Sequence, residues 1–340
     1  MDKYSKPPLT IDQQIQLLKD RNLVIDDEAF ARRILATIGY YRLTAYLYPF
    51  RLKDGSDNFT AGISIEKVWR YYRFDRKMRI LLIDAIERIE VAVKAMIVSR
   101  FTLSYGAFGY ADAASFASPV NVRRHAEMLD FIHTEMERSK EEFVNHFKSN
   151  YDTSQGLPLW VATEIMTFGN MLTFFRLMKK QDKQAIASQF GISEQVLETW
   201  LVSLNYIRNV CAHHGRIWNK VLAVRPSIPR KLPEWHEEKF PVEVTRIYSI
   251  LTIGRFLLQA IAPQSGWPER LQALLADFPD IPRLSMGIPD DYQLSTAVPY
   301  FYEMSGFGVR LSTRRPVFSG HLFCVWRLVC AGITLEDSRT

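Results

Sequence analysis

The sequence predicts an all-α protein, and three observations support that fold class. Apolar residues recur at helical spacing in nearly every periodic segment of the 340-residue chain. No stretch alternates apolar and polar residues over the length of a convincing β-strand. No internal repeat of the kind that builds solenoids is visible. We therefore expect helical regions over residues 1–60 and 61–262, followed by a different region over 263–340.

Residues 1–60 are predicted to form an N-terminal helical extension. Thr10 fits the N-cap of a first helix, with Gln13 as its capping-box partner. A second helix begins near Asp26–Asp27 and ends at Gly39. Four tyrosines and an arginine follow, which either attach these helices to the bundle, the interpretation we favour, or contact nucleic acid by stacking on its bases. They are Tyr40, Tyr41, Arg42, Tyr46 and Tyr48.

Residues 61–262 are predicted to form the main helical bundle. The longest helix signal runs from about Ser64 to Arg100, with apolar residues at three- and four-residue intervals. Later helices are predicted over about 120–149, from Leu157-Pro158 onward, over about 194–214 and over about 241–262. Within the longest helix, aromatic and basic residues alternate. Either the rings belong to the core and the cations form its rim, which we favour, or the rings stack on bases while the cations hold phosphates. They are Trp69, Arg70, Tyr71, Tyr72, Arg73, Phe74, Arg76, Lys77 and Arg79.

Residues 263–340 are predicted to form a largely irregular C-terminal extension. The stretch Pro263–Pro299 is rich in proline and reads as a loop. The stretch Tyr300–Thr340 has only weak helical periodicity. We expect this tail to be poorly structured.

Composition limits the class of protein. The net charge of +6 and the pI of about 9.1 are compatible with an anionic partner such as nucleic acid, although soluble proteins of other kinds share this balance. The three cysteines lack the spacing of a disulfide framework or a zinc site. No apolar signal region and no apolar run of transmembrane length is visible. We expect a cytoplasmic protein with no membrane partner.

Acidic residues in the longest helix do not predict a metal site. Asp84, Glu87 and Glu90 are spaced three apart, but Arg88 and Lys94 lie beside them, which favours intrahelical ion pairs. The chain has no Gly-rich phosphate loop and no Ser-His-Asp signature. No metal and no cofactor is therefore expected.

The helix predicted from Glu194 to about His214 carries the most unusual pattern. At about 100° per residue, its apolar residues share one face: Leu197, Trp200, Leu204, Ile207 and Cys211. The opposite face is polar: Asn205, Arg208, Asn209 and His213. Lysine and glutamate, which are usual on solvated helix faces, are missing from Asn205 to His214, and asparagine is a poor helix former. This polar face therefore indicates more than an ordinary exposed surface.

The segment after the polar face is strongly basic. Between Asn205 and Lys231 there is no acidic residue, and six are basic: Arg208, Arg216, Lys220, Arg225, Arg230 and Lys231. Trp218 and Asn219 lie among them. A basic run is often only a solvated surface. Beside a histidine, which exchanges protons near neutral pH, it is more suggestive of phosphate handling.

These residues resemble a known signature. Arg208-Asn-Val-Cys-Ala-His213 is similar to the arginine, four to six residues, histidine motif of HEPN ribonucleases. The chain also resembles, over about residues 6–295, the AbiD/AbiF-like group of Abi (abortive infection) proteins. That resemblance is carried by Lys6-Pro-Pro-Leu-Thr10, Ile38-Gly-Tyr-Tyr-Arg-Leu43, Tyr48-Pro-Phe50, Tyr72-Arg-Phe-Asp-Arg76, Asp84-Ala-Ile-Glu-Arg-Ile-Glu90, Leu157-Pro-Leu-Trp160, Phe168-Gly169 and Arg208 to Asn219. The chain departs from the family pattern after about Tyr300.

The resemblance implies a HEPN-like helical bundle and a metal-independent, toxin-like endoribonuclease of phage defence. It implies that His213 acts as general acid or base, that Arg208 stabilises phosphoryl charge, and that Asn209 orients His213 or holds a phosphate. The expected products carry a 2′,3′-cyclic phosphate and a 5′-hydroxyl. Further RNA contacts are expected from Asn205, His214, Arg216, Trp218, Asn219, Lys220 and Arg225.

Because the chain has one motif, the resemblance implies a homodimer in which two motifs form one site. A noncoding RNA is an implied regulatory partner. His214 also fits the motif spacing, but the helical wheel directs it toward the apolar half, so we favour His213. Two alternatives to a nuclease remain: a non-catalytic RNA-binding module, and a structural protein whose polar face only builds the dimer.

Overall fold

The protein is described here from a computed structural model that covers residues 5, 7–119, 121–232, 235 and 242–288. Within these ranges the chain forms helices and turns, with isolated β-bridges but no β-strand, so the predicted all-α class is confirmed. The helices are α1 (Ile11–Asp20), α2 (Glu28–Ile38), α3 (Tyr40–Leu47), α4 (Ile65–Tyr105), α5 (Val122–Arg138), α6 (Glu142–Asn150), α7 (Leu159–Ile165), α8 (Phe168–Leu177), α9 (Lys180–Ala187), α10 (Glu194–Ala212), α11 (Ile247–Ile261) and α12 (Trp267–Asp277).

The described chain divides into two compact units. The first comprises the residues up to Val91 and those from Ala187 onward, and the second comprises Ala92–Ile186. The sequence boundaries at residues 60 and 262 stay a prediction. None of the described helices is both long enough and apolar enough to cross a membrane.

Local signals fix the first helices as the sequence predicts. The Thr10 hydroxyl accepts a hydrogen bond from the Gln13 amide, and the Gln13 side chain accepts one from the Thr10 amide, which closes the predicted capping box. Asp27 caps α2 by accepting from the Phe30 amide. Gly39 separates α2 from α3 with φ of +77°, a conformation that glycine adopts without steric cost.

The core of the first unit lies between α4, α10, α11 and α12. The buried face of α4 repeats every three or four residues: Val68, Tyr71, Phe74, Met78, Leu82, Ala85 and Ile89. From α10, Trp200 is fully buried, and its ring meets Phe256 of α11 edge to face at 5.3 Å. The indole of Trp267 donates a 2.8 Å hydrogen bond to the Leu81 carbonyl, which attaches α12 to α4.

The second unit has its own aromatic core. The rings of Phe101, Phe116 and Phe174 lie 4.9–5.4 Å apart. The buried carboxylate of Asp182, in the first turn of α9, accepts 2.7 Å hydrogen bonds from Arg100 Nε and the Tyr105 hydroxyl. These contacts connect the last turns of α4 to α9.

Several boundaries differ from the sequence expectations. The single helix expected over about 120–149 is two helices, α5 and α6, separated at Ser139–Glu141. The helix expected from Leu157 divides into α7 and α8, because Thr167 caps a new helix by accepting from the Asn170 amide.

The expectation of a loop from Pro263 onward is wrong for α12. Pro268 lies in the first turn of that helix, where its missing amide proton costs nothing, so the proline starts a helix instead of breaking one. Residues 278–288 form turns and a short 3-10 helix at Arg283–Met286, and the predicted irregular tail from residue 289 onward lies outside the described residues.

Candidate functional site

The polar face of α10 lies at the protein surface. The predicted apolar residues Leu197, Trp200, Leu204, Ile207 and Cys211 are all buried. On the opposite face Arg208 and Asn209 are exposed, and Asn205 is half-buried. His213, which caps the helix, is exposed as well. The predicted amphipathic division of this helix is therefore confirmed.

The two histidines end the helix. The His213 amide donates to the Asn209 carbonyl at 3.0 Å, and the His214 amide donates to the Cys211 carbonyl at 3.0 Å. The Gly215 amide donates to the Val210 carbonyl at 2.7 Å. These last two bonds are those of a Schellman motif, in which His214 occupies the left-handed position usually taken by glycine, with φ of +57°.

The expectation that His214 points toward the apolar half of α10 is wrong. The helical wheel assumed that the helix continues through His214, but the helix ends at Ala212. Because its backbone is left-handed, His214 leaves the helical path, and its side chain is exposed. The chain thus places two adjacent histidines at the surface.

The motif residues are neighbours along the end of α10. Arg208 Nη1 lies 3.4 Å from Asn209 Oδ1, a long hydrogen bond. Asn209 and His213 are one helical turn apart, which places their side chains on the same face. This surface offers a guanidinium, a carboxamide and an imidazole, a set that can hold a phosphate and transfer a proton.

A buried carboxylate holds the chain that follows the motif. Asp75 of α4 is fully buried and accepts hydrogen bonds from the Ile217 amide at 3.1 Å and the Trp218 amide at 2.6 Å. It also accepts from the Tyr46 hydroxyl at 2.7 Å and pairs with Arg79. Burial raises the pKa of the Asp75 carboxyl, while Arg79 and the hydrogen bonds act in the opposite direction.

Other contacts fasten the same loop at successive residues. Arg42 Nη1 donates to the His214 carbonyl at 2.8 Å, and Arg79 Nη1 donates to the Gly215 carbonyl at 3.3 Å. Arg216 donates in turn to the Ala45 carbonyl of α3. Together with the bonds to Asp75, these contacts fix the backbone from His214 onward, and with it the end of the motif helix.

Sequence reasoning missed Asp75 and its role. It placed Arg79 among the interleaved rings and cations of the longest helix, but the structure buries this guanidinium against Asp75. The available signal was an acid and a base four residues apart on the apolar face of a helix, where charged residues are rare unless paired.

The other interleaved residues of α4 favour the interpretation as core with a charged rim. Tyr71 and Phe74 are buried. Arg70 Nε binds the carboxylate of Asp280 at 2.6 Å, and Lys77 binds that of Asp277, the last residue of α12, at 3.3 Å. Asp84 pairs with Arg88, as its spacing predicts.

Of the expected RNA contacts, the assignment of Trp218 is wrong. Its side chain is only 3% exposed and packs edge to face against Tyr71 with ring centres 4.6 Å apart, so its ring cannot stack on a base. Asn219 is half-buried and accepts from Arg246 at 3.3 Å. Arg216 and Lys220 are half-buried, and Arg225 is exposed.

Comparison with known proteins identifies one family. The sequence model of a family described as Abi-like protein matches residues 33–219, more than half of the chain. The match includes α10, both histidines and the loop that Asp75 holds. No significant match was found among curated proteins or among solved structures.

We expect Asp75→Ala to destabilise the first unit by about 3–5 kcal/mol, because it leaves the buried charge of Arg79 unpaired and removes the acceptor of two backbone amides. Chemical denaturation monitored by circular dichroism measures this loss. Asp84→Ala is the matched control: its carboxylate pairs with Arg88 and Arg270 but is partly exposed, so its removal should cost only about 1 kcal/mol. Equal losses in the two variants would contradict the role assigned to Asp75.

We expect His214→Gly to stabilise the protein by about 1 kcal/mol, because glycine adopts the left-handed conformation without the clash that His214 bears. His214→Ala keeps a Cβ in the same conformation and should bring no such gain. Melting temperatures of the two variants and the wild type test this, and a gain in the alanine variant would refute the backbone explanation.

Proposed function

The chain belongs to the Abi-like family, and from that premise we propose that it is a metal-independent endoribonuclease. Family membership indicates a role in abortive infection, a form of phage defence. One observation supports the proposal above the others. Arg208, Asn209 and His213 lie exposed at the end of one helix, directly before a loop that buried contacts hold in place.

The chemistry we propose needs a proton acceptor, a proton donor and a cation. An imidazole takes the proton of the ribose 2′-hydroxyl, and the 2′-oxygen attacks the adjacent phosphorus. The bond from phosphorus to the 5′-oxygen breaks, and a second group, a protonated imidazole, donates a proton to that leaving oxygen. Arg208 stabilises the charge that grows on the phosphoryl oxygens. The products carry a 2′,3′-cyclic phosphate and a 5′-hydroxyl.

A single His213 cannot act as acid and base in the same step. We therefore propose a two-fold dimer in which the motifs of two chains face each other and each supplies an imidazole and a guanidinium. The exposure of Arg208, Asn209 and His213 within one chain supports this arrangement, since a motif that meets a second copy must be accessible.

Cleavage of labelled RNA by purified protein tests the nuclease proposal. We expect wild-type protein to cut in the presence of EDTA, to leave cyclic phosphate ends, and to spare a strand with 2′-deoxyribose at the cleavage position. His213→Ala should lower the rate about 100- to 10,000-fold, the usual contribution of a general acid or base. His133→Ala removes another exposed histidine and should cut at the wild-type rate.

Expression in cells gives a second readout. If His213→Ala is as toxic as the wild type, the nuclease proposal fails. If toxicity is lost while RNA binding and the melting temperature are kept, the proposal gains support over the purely structural alternative.

Mixing of subunits tests the composite site. In a dimer that needs His213 from both chains, activity after subunit exchange falls with the square of the wild-type fraction. An equal mixture with His213→Ala then keeps about a quarter of the wild-type activity. An enzyme that works as single chains keeps about half, and that result, or a monomeric mass in light scattering, would overturn the dimer.

A further inference from the structure

An open cavity of about 440 Å³ lies in the first unit, beside the loop that follows the motif. Its walls come from the end of α1, from α3 and the turn after it, from the chain at Arg51–Phe59, and from the loop after His213. Leu47 and Phe59, both buried, line it from the protein interior. We call it the α3 cleft.

Cations predominate in the α3 cleft. Arg21, Arg51, Arg216 and Lys220 all line it. The carboxylate of Asp57 binds Arg21 Nη2 at 2.6 Å and also pairs with Arg51, so it holds these two guanidinium groups side by side. One carboxylate against four cations leaves the cleft positive, which favours an anionic ligand.

Two exposed tyrosines stand in the same cleft. The side chain of Tyr41 is 90% exposed and that of Tyr48 is 67% exposed. Tyr46, between them in sequence, is buried against Asp75, so the attachment of α3 to the bundle does not require the other two rings. Exposed rings beside cations are the pattern of surfaces on which bases stack while cations hold phosphates.

The α3 cleft and the motif share one loop. Arg216, a cleft residue, follows His213 by three residues, so their Cα atoms lie within about 11 Å. Arg216 donates to the Ala45 carbonyl on the cleft wall, and Arg42 of α3 donates to the His214 carbonyl. A chain of nucleotides bound at the motif therefore passes close to the cleft.

From these observations we infer that the α3 cleft binds a nucleotide of single-stranded RNA next to the linkage held at the motif. Its cations hold the phosphate, and Tyr48 stacks on the base. The inference rests on the proposed function in taking RNA as the ligand. A single strand fits because its bases are free to stack on side chains, whereas duplex bases are already stacked and paired.

Fluorescence anisotropy with a labelled oligouridylate tests the inference, in the His213→Ala background so that the probe stays intact. Tyr48→Ala should weaken binding at least about fivefold, and Tyr48→Phe, which keeps the ring, should bind as the parent does. Lys220→Gln should make the slope of log K against log salt about 0.7 shallower, the change expected for one lost phosphate contact on a single strand.

Matched controls come from exposed residues of the second unit. Tyr151→Ala and Lys140→Gln remove a ring and a cation that do not line the cleft, and they should leave binding unchanged. Parental affinity and salt slope in both cleft variants would overturn the inference, as would absence of oligouridylate binding by the parent. A third outcome is that the protein binds free AMP tightly but does not bind oligouridylate, and that Tyr48→Ala weakens AMP binding at least about fivefold. That outcome would assign the cleft to a mononucleotide and overturn the RNA assignment.

The two proposals fail separately. If His213→Ala cuts RNA at the wild-type rate while the cleft variants lose affinity for oligouridylate, the nuclease mechanism is wrong and the inference about the cleft is supported. If His213→Ala is inactive while the cleft variants bind the probe like the parent, the cleft inference is wrong and the mechanism stands.

Discussion

The candidate site depends on the buried carboxylate of Asp75. A carboxylate without water must find several donors, and Asp75 finds a hydroxyl, a guanidinium and two backbone amides. Those amides belong to the loop after the motif helix, 142 and 143 residues away in the chain. Because the Asp75 carboxylate is buried, leaving it without these donors would cost free energy. The same requirement holds the loop in one position.

The end of α10 contains a strained backbone position. Glycine is the usual residue at the left-handed position of a Schellman motif, but here the position is occupied by His214. The loop tolerates this conformation because Arg42 and Arg79 hold the carbonyls of His214 and Gly215. Backbone strain of this kind persists where the surrounding contacts over-determine it, and here it lies within the residues that match the Abi-like family.

The motif and the α3 cleft adjoin the same loop, which α3 holds. Helix α3 contributes Tyr46 to the Asp75 network, Arg42 to the loop, and Tyr41 to the cleft. One side of this helix is thus structural, and the other carries the groups proposed to meet RNA. The function proposed for this helix would join the positioning of a scissile linkage to the recognition of the neighbouring nucleotide.

The sequence by itself determined the helical class, the capping box at Thr10, the two faces of α10 and the paired Asp84 and Arg88, because helical periodicity, caps and four-residue pairs are local along the chain. Only the tertiary structure decided that Trp218 is core, that Tyr41 and Tyr48 are exposed while Tyr46 is buried, and that Asp75 binds the motif loop. These outcomes depend on which distant residues meet. A pattern that repeats every 3.6 residues carries no information about partners more than a hundred residues away.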